Sequence, residues 1–221
     1  MSTERIGMHI KNWGESSVQD HFIVRLRLPQ GDFALNVTDQ GRSRYNPSFA
    51  IKGSLPCGDV AVTMKNHGTS KYDEDFTVSG TVDGDTVAFE MDNYGETNYT
   101  NHFHVKGYIP QGDVNLEMRN SGKSKWQNNF HITGAVAGQS VDLDVANTGA
   151  TKFVNDFRIT GAYGRDTGTD IFMDDVGRTA YDSSYEVSGR ASAALIASPV
   201  FMPIVLAMIT CAKMPIYEAA E

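Results

Sequence analysis

The sequence predicts an all-β protein built from seven 27-residue repeats of antiparallel hairpins, and two observations carry that expectation. Phenylalanines stand at Phe22, Phe49, Phe76, Phe103, Phe130 and Phe157, each 27 residues after the last. Around every one, apolar residues recur two positions apart with polar residues between them, the period of a half-buried strand rather than of a helix.

Each phenylalanine opens a first strand, a, which from Phe49 onward has the form aromatic-x-aliphatic-x-Gly, as in Phe76-Thr77-Val78-Ser79-Gly80 and Phe103-His104-Val105-Lys106-Gly107. About eleven residues later comes a second alternating run, strand b: Val60, Val62 and Met64; Val87, Phe89 and Met91; Val114, Leu116 and Met118; Val141, Leu143 and Val145. Between a and b stand Pro29-Gln30-Gly31-Asp32, Pro56-Cys57-Gly58-Asp59 and Pro110-Gln111-Gly112-Asp113. Proline suits the first corner of a type I turn and glycine a left-handed residue after it, so this corner is expected to be a hairpin with a bulge. After b comes Asn-x-Gly, a second corner, and then some seven residues that form a third short strand or an extended lead into the next strand a.

The array opens and closes on half units. Ile6, Met8 and Ile10 fall 27 residues before Phe33, Leu35 and Val37, so the chain starts with a strand b. One extra residue in the stretch from Tyr163 to Thr169 precedes a final strand a, Tyr185-Glu186-Val187-Ser188-Gly189. Seven strands of each kind can pair end to end and close a ring, which removes the open sheet edges. The expectation is a closed meander, a propeller-like ring or a sandwich, with a β-solenoid as the alternative; tight hairpin corners favour the meander over parallel stacking.

The repeats occupy residues 1–190, and 191–221 form a second region. Ala191 to Ala212 carry no charge and include Leu195, Ile196, Val200, Phe201, Ile204, Val205, Leu206 and Ile209. That length would span a bilayer, but Pro199 and Pro203 interrupt a helix, so the run is read as buried in the ring or docked on a neighbouring subunit, with a membrane anchor as the alternative.

Charge and composition narrow the function classes. Nineteen Lys and Arg against 27 Asp and Glu leave a net charge of −8, which disfavours nucleic acid. Cys57 and Cys211 lie too far apart to read as a zinc pair or a disulfide framework. The stretch from Met1 to Gly7 does not resemble an ordinary signal peptide, so the compartment is expected to be cytoplasmic or reached by non-classical export.

The recurrent polar constellation follows strand b: Asn66, Lys71 and Tyr72; Asn93 and Tyr99; Asn120, Lys125 and Trp126; Asn147 and Lys152. An amide, a cation and an aromatic ring together suit a sugar, whose hydroxyls need directional hydrogen bonds and whose ring face needs a platform. Turn chemistry alone also explains the asparagines and glycines. His102, His104 and His131 are expected on the outer face, too weak a pattern to assign a metal, and no cofactor is expected. Asp166-Thr167-Gly168 matches a protease triplet but lacks a second aspartate to share the proton, and like groups spread evenly argue against an enzyme. The expectation is a non-enzymatic, multivalent, lectin-like protein that recognises glycans or a similar polar surface. Its alternatives are a self-assembling structural subunit and a membrane-anchored or pore-forming β protein.

Overall fold

The computed structural model describes residues 3–12, 21–41, 48–68, 75–95, 102–122, 129–149, 156–177 and 184–198. Fourteen strands form where the alternation predicts them. The b-type strands are β1 (Thr3–Asn12), β3 (Gly31–Asp39), β5 (Gly58–Asn66), β7 (Asp85–Asn93), β9 (Gly112–Asn120), β11 (Gln139–Asn147) and β13 (Asp166–Asp175). The a-type strands are β2 (His21–Leu28), β4 (Ser48–Leu55), β6 (Phe76–Val82), β8 (Phe103–Ile109), β10 (Phe130–Val136), β12 (Phe157–Tyr163) and β14 (Tyr185–Ser192). A short helix, α1 (Ala193–Ala197), follows β14 directly.

Each strand pairs antiparallel with its sequence neighbours, and β1 pairs with β14, so the sheet closes into a single barrel. This is the closed meander among the expected architectures, neither a propeller, a two-sheet sandwich nor a solenoid. Closure follows from the half units at the two ends: the opening strand b finds the closing strand a, with Met8 opposite Val187 and Ile10 opposite Tyr185. Among the described residues no edge strand is left to template association.

Apolar side chains of every strand point inward. Phe22, Phe76, Phe103, Phe130 and Phe157 are fully buried in one layer, with Tyr185 taking the same place in β14. Most outward positions are polar or charged, including Lys106, Glu117, Arg119, Asp142, Asp144 and Arg158, with Tyr108 and Phe172 exposed among them. A wall that is apolar inside and charged outside is the reverse of a transmembrane barrel.

The recurrent glycine of strand a has a steric cause. At Gly107 the backbone sits at φ +156°, and a Cβ there would lie 2.2 Å from the carbonyl oxygen of Ala88 on the neighbouring strand. The same contact recurs at the equivalent glycine of six a-type strands. Each glycine faces the middle apolar residue of strand b, as Gly107 faces Phe89 and Gly134 faces Leu116. Its missing side chain thus leaves room for the larger one.

The a-to-b corners differ from expectation. Leu28 pairs with Gly31 and Ile109 with Gly112, so Pro29-Gln30 and Pro110-Gln111 are two-residue connections without a bulge, and the glycine is the first residue of the next strand. Where proline is absent, Asp83-Gly84 and Ala137-Gly138 both hold positive φ, the mirror-image turn that matches strand twist. The register does shift in the unit with the extra residue, between Gly161 and Tyr163. The barrel absorbs the insertion there as a bulge.

Candidate functional site

Antiparallel order sends every a-to-b corner to one rim and every b-to-a connection to the other. The second rim therefore carries all the longer connections, including the candidate sugar-binding loops. The stems of these loops share one architecture.

At each stem the last residue of strand b folds its side chain back on the backbone two residues ahead. Asn66 Oδ1 accepts the Gly68 N–H at 2.8 Å, Asn93 that of Gly95 at 2.9 Å, Asn120 that of Gly122 at 2.7 Å and Asn147 that of Gly149 at 2.9 Å. Asp39 and Asp175 do the same for Gly41 and Gly177. The asparagine amides are therefore used by the turn, which starts the loop at a fixed angle.

A second column ties stem to stem, except at Ser48, whose Oγ donates to the Met64 carbonyl oxygen instead. The residue just before strand a accepts the backbone N–H of the residue that ends the following strand b. Asp75 binds Asn93 N–H at 2.7 Å, His102 binds that of Asn120 at 2.9 Å, Asn129 that of Asn147 at 2.6 Å and Asp156 that of Asp175 at 2.8 Å. His21 serves Asp39 in the same way. Across the closure, Ser184 Oγ accepts the Asn12 N–H at 3.2 Å, so the seam repeats the bond found inside the array. In His21 and His102 the accepting atom is Nδ1, which leaves the proton on Nε2.

Sequence reasoning missed this second column. Its signal was present: a hydrogen-bond acceptor stands immediately before every aromatic that opens strand a, at His21, Ser48, Asp75, His102, Asn129, Asp156 and Ser184.

Of the ten candidate ligand-binding residues, Asn66, Asn93, Asn120 and Asn147 are placed as stem residues on this rim. Lys71, Tyr72, Tyr99, Lys125, Trp126 and Lys152 lie outside the described residues. The expected convergence of amide, cation and ring is thus described only at its amide end.

One aromatic that the sequence did not single out stands at a stem. Tyr94, the middle residue of Asn93-Tyr94-Gly95, is 40% exposed and donates its hydroxyl to Glu117 Oε1 at 2.7 Å. Its ring lies 4.3 Å from that of His104 and 5.4 Å from that of His102, centre to centre. Glu117 also meets Arg119 Nε at 2.9 Å, and its hydrogen bonds from Arg119 and then Tyr94 hold its carboxyl below the usual range. Partial burial, followed by the Glu117 contact, pushes the Tyr94 hydroxyl up.

The three histidines do not converge. His104 faces Glu117 at 3.8 Å, whereas His131 Nδ1 meets Asp144 Oδ1 at 2.8 Å. No group of three side chains suited to a metal ion stands together among the described residues. Asp166 spends one oxygen on the Gly168 N–H, 2.9 Å away, so the Asp-Thr-Gly triplet, at the start of β13, makes the same side-chain-to-backbone bond as the stems.

No family model matches the sequence, and comparison with curated proteins and with solved structures finds no match.

Proposed function

We propose that the protein is a non-enzymatic, multivalent binding protein that uses the loops of one barrel rim to hold a glycan or a similar polar, ring-bearing surface. The observation that supports this reading is the repeated stem. The same side-chain turn and the same stem-to-stem bond recur around the rim, so similar loops start from similar positions and angles. Successive stems are two strands apart, roughly 10–12 Å along the rim. Weak contacts at that spacing add by effective concentration rather than by individual affinity.

The loop sequences supply suitable chemistry. Lys71 and Tyr72, Tyr99, Lys125 and Trp126, and Lys152 each follow a stem asparagine by a few residues. Tyr94, Glu117 and Arg119 add a ring, a carboxylate and a guanidinium beside the rim. A catalytic centre needs unlike groups brought to one point, and repetition distributes like groups around a circle instead.

The test is a glycan array probed with the full chain and with the double variant Tyr99→Ala, Trp126→Ala. Binding by the parent that falls at least tenfold in the variant, with an unchanged far-ultraviolet circular dichroism spectrum, supports the reading. Absence of binding across the array overturns it.

A further inference from the structure

The stem-to-stem column is a ring of acceptors, and two of its members can lose the ability to accept. Asp75, Asn129, Asp156 and Ser184 offer carboxylate, amide or hydroxyl oxygens, whereas His21 and His102 offer the lone pair of a ring nitrogen. Histidine is the one side chain whose ordinary titration falls between pH 5 and 8. A proton on Nδ1 turns that acceptor into a donor, which then faces the backbone N–H it had held. Amide and hydroxyl oxygens keep their lone pairs throughout that range.

His102 is the better placed of the two. Its bond to the Asn120 N–H is 2.9 Å long, against 3.2 Å for His21 and Asp39. Its backbone is held on both sides: the Tyr94 N–H donates to its carbonyl oxygen at 2.8 Å, and its own N–H donates to Asn93 Oδ1 at 3.3 Å. The imidazole is thus the titratable part of an otherwise fixed joint. His102 ends the connection that carries Tyr99, and Asn120 precedes the one that carries Lys125 and Trp126. The bond between them links the feet of two candidate loops.

Among the described residues, the groups around this ring give a charged imidazole another place to settle. After β7, Tyr94 stacks its ring 5.4 Å from that of His102, and Asp92 stands outward on β7 opposite His104. On β8, His104 lies 4.3 Å from the same tyrosine ring. From β9 come Glu117, bonded to the Tyr94 hydroxyl and 3.8 Å from His104, and Arg119, paired with Glu117 at 2.9 Å. An aromatic face within about 6 Å attracts a cation. The carboxylates of Asp92 and Glu117 add to that pull, and Arg119, already spent on Glu117, opposes it. A neutral His102 holds Asn120, and a charged one is drawn toward Tyr94.

We infer that His102 makes the joint between these two stems sensitive to pH: the neutral imidazole ties the foot of one loop to the next, and the imidazolium releases the Asn120 N–H. Its regulatory consequence rests on the binding function proposed above. Ligand is held near neutral pH and released in mild acid, where the two loops no longer share a fixed spacing. The joint from Asn129 to Asn147 is an internal control, since an amide oxygen holds the same backbone N–H there at 2.6 Å.

Nuclear magnetic resonance on the full, nitrogen-labelled chain tests the joint without any ligand. At pH 8 the His102 imidazole is expected to carry its proton on Nε2. Between pH 8 and pH 5 the exchange protection of the Asn120 amide is expected to fall about tenfold relative to that of Asn147. His102→Asn, which copies Asn129, is expected to keep that ratio within about twofold. A constant ratio in the parent, an imidazole still neutral at pH 5, a proton on Nδ1 at pH 8, or an equal fall in the variant each overturns the inference. The ligand readout is separate. For a glycan that the array identifies, affinity is expected to fall at least tenfold from pH 8 to pH 5 in the parent and less than threefold in His102→Asn; an equal fall in both overturns the regulatory role. Absence of binding across the array overturns the glycan reading alone, and the exchange ratio still decides the joint.

Discussion

Tyr185 is the one departure from phenylalanine in the buried aromatic layer of the a-type strands, and it carries a cost. Its side chain is almost wholly buried, and its hydroxyl has no hydrogen-bond partner among the described residues. Burial, with Asp175 and Asp156 nearby, pushes that hydroxyl well above its ordinary value near 10. The sign follows by linkage: below the ordinary value both folded and unfolded chains keep the proton, and the group has no pH-dependent effect. Above it the unfolded chain releases the proton while the folded chain must hold it, so stability falls as pH rises. Tyr185→Phe should raise stability by about 1 kcal/mol at neutral pH, a gain of about 2–4 °C in melting temperature for a chain of this size. It should also flatten the decline above pH 10, which thermal melts between pH 7 and pH 11 would measure. The strand-a glycines make a second residue-level prediction. Gly134→Ala sets a Cβ 2.2 Å from the Asn115 carbonyl oxygen, whereas Gly138→Ala, in a turn at φ +75°, meets nothing within 4 Å. The first should cost about 3 kcal/mol or more and the second about 1 kcal/mol, read by urea titration. Equal losses would mean that the close approach, rather than the torsion angle, had been misjudged.

At the scale of the element, the strands were legible in the sequence because a period of two and a stride of 27 say which side chains share a face and where each copy starts. Phe103, Val105 and Ile109 face inward as the alternation requires, and Asn120 ends β9 as its Asn-x-Gly predicts. The corners were less legible. Pro-x-Gly fits either a bulged or a two-residue hairpin, and only pairing of Ile109 with Gly112 decides between them. The stem-to-stem bonds were hidden for another reason: His21, Asp75, Asn129 and Ser184 share no side-chain type, only the ability to accept a hydrogen bond. The stem makes its own prediction. Asn120→Ala removes the bond to Gly122 but leaves the Asn120 N–H on His102, so about 1 kcal/mol should be lost, a fall of about 2–4 °C in melting temperature. If the asparagines serve the turn first, Asn120→Asp should retain most of that stability, since Asp39 and Asp175 already fill the same place.

For the whole molecule the decisive property is closure, which no single repeat encodes. A repeat states how a strand pairs with its neighbours; the number of repeats and the register advance per repeat together decide whether the last strand meets the first. Here the half units make them meet, and β1 lies against β14 in the same register pattern as the internal pairs. The seam also repeats the stem bond, Asn12 to Ser184, so the ends of the array have neighbours on both sides. An open sheet would fray at its first and last strands, because amides on an edge exchange with water without global unfolding. In the closed barrel the terminal strands can open only by parting a seam as extensive as any other pair. Native-state hydrogen exchange should therefore show peptides covering Thr3–Asn12 and Tyr185–Ser192 protected within about tenfold of those covering Phe103–Ile109. Exchange at the termini faster by about a thousandfold, a free-energy gap of about 4 kcal/mol, would mean that the barrel opens at its seam in solution and that the ring of stems is broken there.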